Sequence, residues 1–158
     1  MEIPAKADGP AVRPARPEDF DTIVTLLDEW WGRPVSAGLT RLFLDHFCGT
    51  SLIAEHDGEL AGFVVGFLSP AKPREAYIHY TGVAPRWRRT GLAGRLYEQF
   101  FQLARDNDRT VVKAITSPQN TGSIAFHRAL GFTASDPVKD YDGPSRDRVV
   151  FIRSLGSL

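Results

Sequence analysis

The sequence predicts an α+β fold, and three observations carry that reading. Residues 17–31 and 91–105 repeat apolar side chains at the 3.6-residue spacing of amphipathic helices. Two apolar runs flank Asp57-Gly58, a pair that favours a two-residue hairpin turn. A β-branched run, Val111 to Thr116, follows the longer helical segment.

Taken in order, residues 1–10 mix Pro, Lys, Asp and Gly without periodicity and are expected to be a flexible N-terminus. Residues 11–158 are expected to form one domain, a length that buries a sizeable core. Ala11 to Ala15 suits a short first strand. Pro17 fits the first position of a helix, and Glu18 and Asp19 favour its positive end. Phe20, Ile23, Leu26, Leu27, Trp30 and Trp31 form its apolar face, and Gly32 and Pro34 stop it. A second helix is expected over 39–47, with Leu42, Phe43, His46 and Phe47 on one side. The hairpin arms are 51–56 and 59–68. The second arm is apolar almost throughout, as for a strand covered on both faces. Pro70 and Pro73 mark a loop, and Ala76 to Val83 forms the next strand. Leu92, Leu96, Phe100 and Leu103 line the long helix, which Asp106-Asn107-Asp108 ends. Asn120 or Thr121 caps a shorter helix. Phe132 opens a further strand, and Arg148 to Arg153 gives the last one after a loop rich in Asp, Pro and Gly. The element order is β-α-α-β-β-β-α-β-α-β-β.

Two segments carry chemistry. Arg88-Arg89-Thr90-Gly91-Leu92-Ala93 fits R-x-x-G-x-A at the junction of a strand and a helix. Such a turn presents unpaired amides and the positive end of the helix dipole to a pyrophosphate, and the arginines add charge. An ordinary strand-to-helix turn with solvated arginines fits this segment alone equally well. Downstream, Asn120 to Phe132 reads N-T-G-S-I-A-F-H-R-A-L-G-F, a capped helix closed by Gly-Phe.

Together these segments resemble the GNAT superfamily of acyl-CoA-dependent N-acetyltransferases. The first is similar to its pyrophosphate loop, R/Q-x-x-G-x-G/A. The second is similar to its N-x-x-A-x-x-x-Y-x-x-x-G-F segment, with Ser123 at the Ala position and His127 at the Tyr position. The resemblance implies a mixed, mostly antiparallel central sheet flanked by helices in α/β/α layers. It also implies transfer of an acetyl group from acetyl-CoA to a primary amine by direct attack in a ternary complex. By position, Arg88, Arg89, Thr90, Gly91, Leu92 and Ala93 would bind the pyrophosphate. Thr81, Gly82 and Val83 would pair through their backbone with the pantetheine arm and donate to the oxyanion. Asn120 would contact cofactor amides and Ser123 a phosphate. His127, in place of tyrosine, is the candidate acid for the leaving thiolate, with a helix N-terminus expected to depress its pKa. It equally suits a mere cofactor contact. His79 is the candidate base, sharing a strand face with Tyr77 and Thr81; a satisfied core histidine is the alternative. Glu75 and Tyr80 are the other candidates.

Composition excludes several classes. Nineteen Lys+Arg balance 19 Asp+Glu, so no global attraction to nucleic acid or anionic membrane is expected. A single cysteine, Cys48, excludes an internal disulfide and fits a cytoplasmic setting. No apolar run has the length of a membrane span. His46 and His56 are too scattered for a metal site, and Walker A, G-x-G-x-x-G and G-x-S-x-G patterns are missing. The acceptor is expected to be a small-molecule amine or a protein amine, with 17–47 and the 135–147 loop shaping its pocket. Homodimerisation is common in the family. The competing function is an acyl-CoA-binding regulatory module without turnover.

Overall fold

The computed structural model describes residues 9–156. The flexible segment expected over 1–10 lies outside the described residues as far as residue 8. Pro10 is buried, and its carbonyl accepts from Arg95 Nη2 at 3.1 Å. The elements are β1 (Ala11–Pro14), α1 (Asp19–Trp31), α2 (Arg41–Phe47), β2 (Leu52–His56), β3 (Glu59–Leu68), β4 (Glu75–Val83), α3 (Leu92–Asp106), β5 (Val111–Thr116), α4 (Thr121–Ala129), β6 (Thr133–Ala134) and β7 (Val149–Ser154). Their order is the expected one. The seven strands run β1-β2-β3-β4-β5-β7-β6, and of the pairings described only that of β4 with β5 is parallel, so the sheet is mixed and mostly antiparallel.

Contacts group the chain into two compact units. Among the described residues, the first comprises 9–65 with Tyr80–Phe100, and the second Gly66–His79 with 101–156.

In the first unit, β1 and β3 flank β2, with Ala11 opposite Glu55 and Ile53 opposite Phe63. Asp57 (φ 52°) and Gly58 (φ 78°) both take left-handed backbone, the conformation that closes a two-residue hairpin with matching strand twist. Ile23, Leu27 and Trp30 of α1 pack with Leu39, Leu44, Ile53, Phe63 and Val65 in one core. Truncating a fully buried member such as Leu27 to alanine costs about 2–5 kcal/mol in such a setting. Arg13 of β1 makes two hydrogen bonds to Asp19 at 2.7 and 2.8 Å and also pairs with Glu55, tying β1, β2 and the start of α1 together.

Two boundaries differ from the sequence reading, each for a local reason. α1 starts at Asp19 rather than Pro17, because the Asp19 carboxylate accepts the Arg16 amide at 2.7 Å and holds the intervening residues in a turn. α2 starts at Arg41 rather than Leu39: Ser36–Gly38 form a 3₁₀ turn, and Leu39 is extended and buried in the core instead. Within the same unit α3 buries Leu92, Leu96, Tyr97 and Phe100. It approaches β3 closely at Gly62, where a Cβ would lie 3.3 Å from both Leu92 and Leu96.

In the second unit, Glu75–Tyr77 of β4 run parallel to Val111–Lys113 of β5. The six residues of β5 pair antiparallel with Ser154 back to Val149 of β7, which also pairs with β6. Ala76, Ile78, Val112, Ala114, Val149 and Phe151 are buried from the strands, and Phe101, Ala104 and Phe132 complete this core. The Phe101 and Phe132 rings meet at 5.8 Å.

Candidate active site

The chain leaves β4 through a 3₁₀ turn at Pro85–Trp87, with Ala84 N–H donating to Ala61 O at 2.8 Å. Arg89 (φ 61°) and Gly91 (φ 86°) then both adopt left-handed backbone. For a non-glycine residue such as Arg89 this costs about 1–2 kcal/mol, so the turn is held rather than relaxed. A Cβ at Gly91 would meet nothing within 4 Å, so glycine is needed there for its φ and not for space. Arg95 N–H is the first amide of α3 to find a carbonyl, that of Gly91 at 3.0 Å. Among the described residues, the six amides from Arg89 to Gly94 donate to no carbonyl. Successive free amides around left-handed residues, at a helix N-terminus, make an anion-binding concavity.

The arginines around this turn have separate fates. Arg86 lies over the Trp87 ring at 4.9 Å. Arg88 donates to the carbonyls of Trp30 and, at 3.3 Å, Val83. Arg89 is exposed. On the preceding strand, Thr81 Oγ1 lies 3.2 Å from the Tyr97 hydroxyl, whose pKa burial pushes up to about 12. A Cβ on Gly82 would sit 2.5 Å from Phe63 Cε1, so β4 passes Phe63 only as glycine.

In the second unit, Asn120 is the N-cap of α4: its side-chain oxygen accepts the Ser123 amide at 3.1 Å. Four residues after Ser123, His127 Nδ1 lies 2.8 Å from the Ser123 carbonyl and 3.3 Å from its Oγ. A carbonyl only accepts, so the geometry assigns the proton of the neutral ring to Nδ1 and the lone pair to Nε2. The ring is 7 % exposed and stacks on Phe151 at 4.1 Å, with Phe126 and Phe132 at its edges. Burial lowers its pKa below the ordinary 6.5, and the Ser123 carbonyl opposes this only in part. The expected cause was different. His127 lies in the last turn of α4 and not at a helix N-terminus, so desolvation and not the dipole produces the depression.

A model of the acetyltransferase (GNAT) family matches residues 16–132. The chain belongs to the GNAT family. It is 32% identical over 89 residues to L-2,4-diaminobutyric acid acetyltransferase of Nocardia farcinica, an alignment covering 56% of this chain and 46% of that protein. The chain thus spans about half the length of the curated relatives it matches. Its fold is similar to Ard1 from Thermoplasma volcanium, with TM-score 0.78 and 21% identity over 94% of this chain and 99% of that one. It is also similar to N-acetylglutamate synthase from Neisseria gonorrhoeae complexed with coenzyme A and N-acetyl-glutamate. There the TM-score is 0.72 at 21% identity, covering 96% of this chain and 36% of that one.

The remaining candidates of this GNAT chain sit on β4. His79 is half-buried in the second unit. Glu75 is paired with Lys113 at 2.6 Å, and the Tyr80 hydroxyl donates to Val35 O at 2.7 Å, so both are engaged. Tyr77 stacks on Phe67 at 5.4 Å. Burial raises the pKa of its hydroxyl, and Tyr141 and Asp142 raise it further. Sequence reasoning did not single out Phe67, Tyr97 or Tyr141, whose apolar or loop settings carry no spacing signal. Among the described residues no group of three His, Cys, Asp or Glu is placed to hold a metal ion, and no helix is long and apolar enough to cross a membrane.

Proposed function

We propose that the chain is an acetyl-CoA-dependent N-acetyltransferase that moves the acetyl group to a primary amine in a ternary complex. The observation that carries this reading is the run of six unpartnered amides, Arg89 to Gly94, on a strained left-handed turn at the start of α3. Such donors face solvent in the free protein, and a diphosphate satisfies several of them at once. Acetyl-CoA supplies an activated acyl group whose thiolate leaves readily.

In this reading the amides of Arg89 to Ala93 hold the pyrophosphate, with the exposed Arg89 guanidinium adding charge. The backbone of Thr81, Gly82 and Val83 pairs with an extended arm of the donor and supplies an N–H to the developing oxyanion. Gly82 serves this by letting the strand lie flat against Phe63. The Asn120 oxygen is committed to its cap, so the amide nitrogen is the group that faces a cofactor carbonyl. Ser123 Oγ suits a phosphate contact. His79 takes the amine proton, directly or through water. His127 is neutral, with its one N–H spent on Ser123, so it orients and packs, and solvent protonates the sulfur.

For the acceptor we favour a small amino acid bearing a second amine. The relative named as a diaminobutyric acid acetyltransferase supports an amino-acid acceptor of this kind. We read residues 11–158 as one N-acetyltransferase domain, because β3, β4 and α3 each contribute to both compact units. A cytoplasmic setting fits the single free thiol, Cys48.

The test is to incubate the protein with acetyl-CoA and L-2,4-diaminobutyrate, glutamate or a peptide α-amine, and to follow free thiol. Release with the diamino acid supports the full reading. The burial of His127 favours one alternative, a binding module without turnover. Coenzyme A binding with no thiol release on any amine selects it.

A further inference from the structure

The last turn of α1 contains no basic residue, and Pro34 follows it. The carbonyl of Trp30 would ordinarily accept the amide four residues on. That residue is Pro34, which has no N–H. Gly32 caps the helix in a left-handed conformation but donates to Glu29 O, at 3.3 Å. The donor to Trp30 O comes instead from Arg88, 58 residues later, through Nη2, while Nε of the same guanidinium donates to Val83 O at the end of β4. A cation at a helix C-terminus also complements the dipole. One side chain therefore joins the turn before α3 to the end of α1.

A second network starts two residues earlier on α1. Asp28 accepts the amides of Val35 and Ser36 at 2.8 and 2.7 Å and the Ser36 hydroxyl at 2.8 Å. The Tyr80 hydroxyl donates to Val35 O, and it fits because residue 38 is glycine: a Cβ there would lie 2.2 Å from Tyr80 Oη. The Trp31 ring lies 6.2 Å from that of Tyr80. Segment 32–39 is thus held by the last turn of α1, the turn that Arg88 caps.

We infer that Arg88 is a positioning residue that couples the diphosphate turn at Arg89–Gly94, which it precedes, to segment 32–39 through the carbonyl of Trp30, and that its guanidinium is not a phosphate ligand. The inference rests on the acetyltransferase reading for the identity of the ligand at that turn. The coupling itself lies within the first unit and holds in the free protein.

The experiment is amide hydrogen exchange on the wild type, Arg88→Met and Arg88→Lys, each alone and with coenzyme A. Exchange at Val35 and Ser36 is the readout, with Val112 and Phe151 as controls for global destabilisation. In the free protein R88M speeds exchange at Val35 and Ser36 by about fivefold or more, without moving the controls, and R88K restores most of the protection. Coenzyme A slows the same amides in the wild type but not in R88M, which still binds it within about threefold of the wild-type affinity. With a competent acceptor amine, R88M raises the acceptor KM more than that of acetyl-CoA. Unchanged exchange at Val35 and Ser36 in free R88M overturns the coupling. So does a loss of coenzyme A affinity of about thirtyfold or more with no loss for pantetheine, which would make Arg88 a phosphate ligand. Should the wild type bind no coenzyme A, the acetyltransferase reading falls, and the ligand-free comparison still decides the coupling.

Discussion

His127 departs from the family pattern, and its surroundings set its ionisation. The tyrosine it replaces is protonated at neutral pH, whereas an imidazole is charged only when its setting favours the cation. Here three aromatic rings surround it and desolvation prevails. His127→Phe is expected to keep turnover within about threefold at saturating acetyl-CoA, as for a packing residue. Steady-state rates across pH check this, and a larger loss of kcat with the fold intact returns the acid role to His127. The sign of the stability effect follows from linkage. The folded pKa lies below the unfolded 6.5, so the unfolded chain binds the proton more readily. The neutral ring's contribution is fully present above pH 6.5 and is lost as pH falls through the lowered folded value. Urea midpoints at about pH 7.5 and about pH 5 should drop less in H127F than in the wild type.

Elements were legible where the signal is local. Asp57-Gly58 carries its own conformational preference, and β2 and β3 fall within a residue of the expected hairpin arms. Asn120 and Thr121 announce α4 by residue type and position, and of the two it is Asn120 that caps. Its replacement by alanine should cost about 1 kcal/mol of stability, while aspartate, which keeps the oxygen acceptor, should restore most of it. Thermal unfolding of N120A and N120D separates that loss from any change in cofactor affinity. The same local rule explains the turn before α3. Gly91→Ala would strain a backbone at φ 86° without any steric clash, so a stability loss of about 1 kcal/mol should accompany weaker coenzyme A binding. Long-range partners were not legible. The 3₁₀ turn at Ser36–Gly38 exists because Asp28 and Tyr80 reach it, and no pattern in residues 32–40 encodes those contacts. Arg88 reads as one more phosphate-side arginine in the motif, although its partner is a carbonyl orphaned by Pro34. His127 and Ser123, four apart on one helix, are close enough in sequence to have been paired by inspection.

For the whole molecule, whose formal net charge is zero, the proposed reading assigns binding of the anionic co-substrate to backbone donors. Because the folded turn presents those donors and the unfolded chain does not, ligand should stabilise the fold. Coenzyme A at about a hundred times its Kd should add roughly 2.7 kcal/mol, seen as a rise in Tm. Calorimetric titration with coenzyme A and, separately, with pantetheine, which lacks the diphosphate and the phosphorylated adenosine beyond it, measures what that half of the cofactor contributes to binding. Saturable one-to-one binding of coenzyme A, at least about tenfold tighter than that of pantetheine, is the expected result. No heat with coenzyme A, or equal affinity for the two, contradicts a diphosphate site at the start of α3.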